Sequence, residues 1–176
     1  VNRFEMVKSV EKTNGLFTVQ TDKEIYETPY VVIATGYYDH PNYLNISGED
    51  LPKVHHYFKQ GHPFFDLKVL VIGGKNSAID AALELNKAGA HVTVIYRGND
   101  YSPSIKPWVL PEFLGLVREG EITMHFNTEV KEIREKEVIL DIEGITETVR
   151  NDIVFAMTGY HPDHRFIRAM GVQIDE

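Results

Sequence analysis

The stretch from Lys68 to Arg97, KVLVIGGKNSAIDAALELNKAGAHVTVIYR, constrains the fold more than any other part of the sequence. Leu70, Val71 and Ile72 make a short apolar run that stops at Gly73-Gly74, as a buried parallel strand does. Ala78, Ala81, Ala82, Leu85 and Ala88 then recur at helical spacing, and Gly89 stands where that helix should stop. Val92, Val94 and Ile95 form a second strand, followed at once by Tyr96 and Arg97. A turn between strand and helix points backbone N–H groups and the positive helix end at one spot, which suits a pyrophosphate. The adenosine ribose of a bound dinucleotide then lies at the end of the second strand. An acidic residue there favours a 2′-hydroxyl, whereas an arginine accommodates a 2′-phosphate. The unit reads as an NADP(H) site made by Gly73, Gly74, Lys75, Asn76, Ser77 and Ala78 with Arg97.

The turn departs from GxGxxG at two places. Alanine at the sixth position, Ala78, still permits close helix–strand packing. Lysine at the third, Lys75, is the larger departure, because glycine there lets backbone approach the phosphates. Its ammonium can reach a phosphate oxygen or point into solvent, and the sequence leaves both open. The bland alternative is a plain βαβ crossover with a glycine-rich turn.

A second feature is an internal echo. Val31 to Pro41 reads VVIATGYYDHP, and Val154 to Pro162 reads VFAMTGYHP. Each reads as an apolar strand ending in Thr-Gly-Tyr, with short alternating segments before it: Phe17–Thr21 and Ile25–Thr28 in the first copy, Val138–Ile142 and Thr146–Arg150 in the second. Two copies of one domain type are expected, the first without its own glycine turn within this chain. The sequence therefore reads as a fragment of a protein that binds two dinucleotides. The expected division is residues 1–50 as the remnant of a first dinucleotide-binding domain, 51–65 as connector, 66–160 as the NADPH domain and 161–176 as a return segment. The polar stretch Asp39 to Gly61 belongs with that connector.

The fold class expected is α/β: a Rossmann-like parallel sheet with helices and an inserted antiparallel meander. Tyr101 to Pro111 reads as a proline-rich loop, Glu112 to Glu119 as a helix with Pro111 in its first turn and Gly120 past its end. Ile122–Phe126 is the third parallel strand, Thr128–Arg150 the meander and Ile153–Met157 the last strand. Charges at Glu132, Arg134, Glu135, Lys136 and Glu137 read as a solvated hairpin. Trp108, the only tryptophan, reads as a packing anchor. The eight histidines lack the spacing and cysteine support of a zinc site, so no metal is expected. A net charge of −8 argues against nucleic-acid partners, and no run reaches a membrane span. With no cysteine in its 176 residues, the chain holds no thiol chemistry and no catalytic residue of its own.

These motifs carry a resemblance. VVIATG and VIGGKNSAIDAALEL resemble the low-molecular-weight thioredoxin reductases among the two-dinucleotide-binding-domain flavoproteins. GGKNSA, YSPSIKPWVLPEF and TGYHPD are closer to the bacillithiol disulfide reductases of Gram-positive bacteria, over nearly the whole chain. Thioredoxin reductases carry a CxxC before the NADPH-site strand, where this chain has VHHYFKQGHPFFDLKV without cysteine. They also tend to have two consecutive arginines at the 2′-phosphate, whereas Arg97 is followed here by Gly98, so that Lys106 and Tyr96 are candidates to assist it. The resemblance implies NADPH and FAD as cofactors, with Gly159 adding to the NADPH site and Thr35 and Gly36 offering a backbone contact to the flavin. It implies a cytoplasmic enzyme that reduces a small thiol disulfide, bacillithiol disulfide above all, through a thiolate outside this chain, with homo-oligomerisation left open. A flavin-dependent monooxygenase shares the same plan, and a stand-alone NADP-binding module without chemistry is the third reading.

Overall fold

The computed structural model describes residues 2–174. By their internal contacts these fall into two units, one taking in the chain up to His40 and again from Tyr160, the other Pro41–Gly159.

In the first unit, β1 (Val7–Thr13), β2 (Leu16–Thr21) and β3 (Ile25–Thr28) form an antiparallel meander. Asn14 and Gly15, at φ 52° and 85°, make the β1–β2 turn with the two left-handed residues that a tight hairpin needs. The expected strand over Val31–Ala34 is not formed. Val32 is 89% exposed and no strand partner is assigned to this run among the described residues. An apolar run becomes a strand only beside a neighbour that completes its ladder.

The second unit carries the sheet that positions the site. Its elements are β4 (Val54–His55), a short 3-10 turn (His62–Phe64), β5 (Lys68–Ile72), α1 (Asn76–Lys87), β6 (His91–Ile95), α2 (Leu110–Glu119), β7 (Ile122–His125), β8 (Thr128–Ile133), β9 (Glu137–Ile142), β10 (Ile145–Arg150) and β11 (Ile153–Ala156). The strand order is β4-β11-β5-β6-β7, and its paired registers are parallel throughout. Alternation along β5 divides the core. Val69 and Val71 join Ala78, Ile79, Ala82, Leu85 and Phe113 on the helical side. Leu70 and Ile72 meet Ile133, Val138 and Leu140 of the β8-β9-β10 meander on the other. Both faces of the sheet are thus covered, which is why the strands read as unbroken apolar runs. This is the expected α/β, Rossmann-like sheet with an inserted antiparallel meander.

Both long helices end as their glycines dictate. Gly89 sits at φ 86°, and Ala90 N–H closes back on Leu85 O at 3.0 Å. Gly120 sits at φ 80°, with Glu121 N–H on Leu116 O at 3.0 Å. These are the six-to-one closures of a Schellman end. Helix α2 begins at Leu110, two residues ahead of the expected start, with Pro111 still in its first turn where no donor is lost. The expected solvated hairpin joins β8 to β9, and there Arg134 reaches Glu132 at 3.0 Å and Glu137 at 2.9 Å, with half its side chain exposed. A last helix, α3 (His164–Ala169), belongs to the first unit and is capped by Asp163, whose carboxylate accepts from Arg165 N–H at 3.0 Å. The Arg165 guanidinium on the same carboxylate holds it far below the usual range.

Candidate nucleotide site

Strand β5 delivers the chain to its turn at the C-terminal edge of the sheet, the edge at which open α/β sheets bind ligands. Gly73 takes φ 141°, a conformation open essentially to glycine, and its N–H donates to Ile95 O at 2.9 Å. A Cβ there would stand 2.5 Å from Met157 O and 3.1 Å from the Ala78 methyl. Gly73 and Ala78 are therefore small for the same reason: β5, α1 and the end of β11 meet with no room between them. Lys75 is the N-cap of α1 but offers no side-chain cap. The backbone N–H groups of Gly74, Lys75, Asn76 and Ser77 find no acceptor among the described residues. Four unsatisfied donors at the positive end of a 12-residue helix make an anion cradle.

The side chains around the turn divide into engaged and unengaged. The Lys75 ammonium and the Arg97 guanidinium are exposed and have no hydrogen bond or ion pair among the described residues. Ser77 is exposed in the first turn of α1 with its hydroxyl unpaired. Asn76 is committed to the protein: its amide NH2 donates to Ser104 O at 2.8 Å, and its Oδ1 accepts from Lys106 N–H at 2.9 Å. Lys106 Nζ lies 3.0 Å from Asp80 Oδ2. Lys106 therefore joins the 102–106 loop to α1 through a partly exposed ion pair. Asp80 lies four residues after Asn76 and so shares its face of α1, a spacing that is the only local signal of its part in the site. Ser102, buried, adds a 2.8 Å hydroxyl contact to Ser104.

The loop so anchored carries Trp108, which is 76% exposed. The expected packing anchor is thus corrected: Tyr101 does that work, with Phe113 and Phe126 at centroid distances of 6.2 and 4.9 Å. Burial, with Asp100 beside it, pushes the Tyr101 phenol above its usual value. Trp108 stands between Pro107 and a helix start, where the backbone turns its ring outward.

Gly159 follows β11 at φ 90°. Its carbonyl accepts from Asn42 N–H at 2.9 Å, while the Thr158 hydroxyl donates to Asn42 O at 2.5 Å. The pairing of residue 42 with residue 158 is a long-range contact that no local pattern signals. In the first unit Thr35 and Gly36 are exposed, Gly36 at φ 70° with open space about it. A cavity of about 360 Å³ opens at the opposite, N-terminal edge of the sheet, lined by Lys68, His91, Gly120, Thr123 and Arg150 among others. It lacks the convergent helix end of the turn. No helix among the described residues is long and apolar enough to cross a membrane.

Known proteins share this architecture. The bacilliredoxin reductase of Bacillus subtilis is 64% identical over 165 residues, covering 93% of this chain and 51% of the relative. The solved bacillithiol disulfide reductase of Staphylococcus aureus superposes with a TM-score of 0.93 at 57% identity, covering 99% of this chain and 54% of its own. A thioredoxin reductase of T. acidophilum gives a TM-score of 0.78 at 26% identity, with 98% and 58% covered. The chain spans about half the length of the curated relative it matches. The family model described as pyridine nucleotide-disulphide oxidoreductase matches residues 1–176, and the chain belongs to that family.

Proposed function

We propose that this chain is the NADPH-binding part of a flavoprotein that reduces a low-molecular-weight thiol disulfide, with bacillithiol disulfide as substrate. The observation that carries the reading is the cradle of four N–H groups at Gly74–Ser77 that, like the Arg97 guanidinium after β6, have no partner among the described residues. The N–H groups hold the pyrophosphate, and the Lys75 ammonium adds a mobile charge to it. Arg97 pairs with the 2′-phosphate, for which its planar fork is suited. Gly159, beside Met157 at the same sheet edge, supplies a surface without a side chain. Thr35 and Gly36 offer backbone to the flavin.

When bound, NADPH supplies a hydride that FAD relays to the disulfide. This chain holds the donor by its phosphates and fixes where the nicotinamide is presented, which converts a bimolecular encounter into a positioned one. It contains no cysteine, so the attacking thiolate comes from residues outside it. The similarity to bacillithiol disulfide and bacilliredoxin reductases supports this substrate class. The same reading keeps residues 1–50 as part of an FAD domain, 51–65 as connector, 66–160 as the NADPH domain and 161–176 as the return, in a cytoplasmic enzyme.

The test is anaerobic titration of the FAD-loaded full-length flavoprotein with NADPH, followed by reoxidation. One equivalent of NADPH is expected to bleach the flavin, and bacillithiol disulfide to restore its colour faster than air. Faster recovery with oxygen would favour a monooxygenase instead, and a flavin that NADPH leaves oxidised would overturn the proposal.

A further inference from the structure

Tyr96 stands where β6 leaves the sheet, and its backbone is held on both sides. Its N–H donates to His125 O at 2.9 Å, and its carbonyl accepts from Thr128 N–H at 3.1 Å. With the main chain fixed, two torsions place the ring, and they lay it between two glycines. A Cβ built on Gly74 would overlap Tyr96 Cγ and stand 2.5 Å from Cδ1 and Cδ2. A Cβ on Gly98 would overlap Cε1 and stand 2.9 Å from Cζ and 3.0 Å from Cδ1. Neither glycine takes a positive φ, unlike Gly73. Backbone conformation therefore does not demand glycine at 74 or 98; the ring does.

The contact has a direction. The root of the ring covers Gly74, in the phosphate turn, and its Cδ1–Cε1–Cζ edge covers Gly98, the residue after Arg97. The Cε1 edge of the ring, next to the phenol carbon Cζ, fills the space from which a side chain at position 98 would start. The phenol oxygen has no hydrogen-bond partner among the described residues, and neither has the Arg97 guanidinium. Lys106, the other candidate to assist Arg97, pairs with Asp80 at 3.0 Å. Gly98 is itself pinned, since its carbonyl accepts from Asn127 N–H at 2.9 Å, so the loop cannot simply withdraw from the ring.

We propose that Tyr96 is a specificity-determining residue of the nucleotide site, its ring edge standing in for a side chain at position 98 and its phenol donating a hydrogen bond to the 2′-phosphate that Arg97 pairs with. The proposal rests on the reading of the turn as an NADPH site. A phenol O–H donating to a phosphate makes a charge-assisted bond, about twice as strong as one to a neutral hydroxyl. The phenol therefore favours NADPH over NADH and is close to indifferent to the pyrophosphate, which both nucleotides share. A further consequence concerns engineering: a basic side chain placed at 98 evicts the ring and does not add to selectivity.

Isothermal titration of the full chain with NADPH and with NADH tests this, using the parent, Tyr96→Phe, Gly98→Ala and the double variant. Tyr96→Phe is expected to weaken NADPH about five- to tenfold and NADH less than twofold, from the loss of one charge-assisted bond. Gly98→Ala leaves the phenol's chemistry intact but displaces the ring, and is expected to give the same selective loss. The double variant is expected to bind NADPH no more than about twofold more weakly than the poorer single variant, since the ring is lost only once. A Tyr96→Phe protein with the parent's NADPH-to-NADH ratio overturns the inference while leaving the nucleotide site standing. A parent that binds neither nucleotide overturns both. Should Gly98→Ala not fold, Tyr96→Phe decides alone, because it removes a single oxygen that has no partner among the described residues.

Discussion

Substituting Gly73 by alanine tests the packing that shapes the turn. Two costs add at this position. A residue with a Cβ is forced to φ 141°, a region almost closed to it, at about 1–3 kcal/mol. The new methyl also stands 2.5 Å from Met157 O and 3.1 Å from the Ala78 methyl. Met157 cannot yield cheaply, because its N–H is bonded to Ile72 O at 2.8 Å and its side chain is 7% exposed. Overpacking of this kind costs about 1–3 kcal/mol. The sum is about 4 kcal/mol, a large share of the roughly 5–15 kcal/mol that holds a domain. Gly144→Ala is the control, since Gly144 also has a positive φ, 86°, but nothing lies within 4 Å of its added Cβ. That change is expected to cost about 1 kcal/mol. In urea unfolding followed by circular dichroism, Gly73→Ala should lose about 3 kcal/mol more than Gly144→Ala. Equal losses for the two variants would refute the claim that β5, α1 and β11 converge without slack.

Three further outcomes follow from the same geometry. Arg97→Met should weaken NADPH binding by about 1.5–3 kcal/mol and leave NADH nearly unchanged, because the lost bond goes to a group only NADPH has; calorimetry showing equal losses would remove Arg97 from the 2′-phosphate. Asn76→Ala deletes hydrogen bonds to Ser104 O and Lys106 N–H and should cost about 2 kcal/mol, with faster amide exchange across residues 102–106; unchanged exchange there would show that Asp80 and Lys106 suffice. The His55 ring lies 5.3 Å from that of Phe155, and burial foremost, with His56 beside it, lowers its pKa below 6.5. The unfolded chain then takes up the proton more readily, so the stability His55 gives is present above pH 6.5 and is lost as pH falls below that value. Thermal melts between pH 7.5 and 5.5 should show that loss, and His55→Asn should flatten it; an unaltered slope would locate the acid sensitivity elsewhere.

Much of the second unit was legible because its signals are local and repeated. The apolar run to Gly73, the alanine spacing of α1 and the two helix-ending glycines each state one element's physics within a few residues. The cradle at the turn follows from them, because a strand feeding a helix leaves its N–H groups unpaired whatever the side chains. What escaped was set by partners distant in sequence. Val31–Ala34 has a strand's composition but no ladder beside it among the described residues. Strand β4 is only two residues, Val54 and His55, too short to show a period and formed by pairing with β11. Lys106 reads as an aid to Arg97 because it is basic, and nothing local says that it pairs with Asp80 on α1. The role of Gly98 was hidden in the same way: a glycine two residues after a tyrosine does not announce that the ring folds back upon it. Trp108 was misjudged on composition, because a lone tryptophan among prolines is most often buried and here it faces solvent.

The placement of the nucleotide can be read directly from amide shifts of the 15N-labelled full chain during titration with NADPH. The amides of Gly74, Lys75, Asn76 and Ser77, which have no acceptor among the described residues, are expected to move furthest, together with Arg97. Lys68, Gly120 and Arg150, around the cavity at the opposite edge, should stay in place. Shifts centred on that cavity, with the amides of residues 74–77 unmoved at saturation, would contradict the assignment of the turn as the NADPH site.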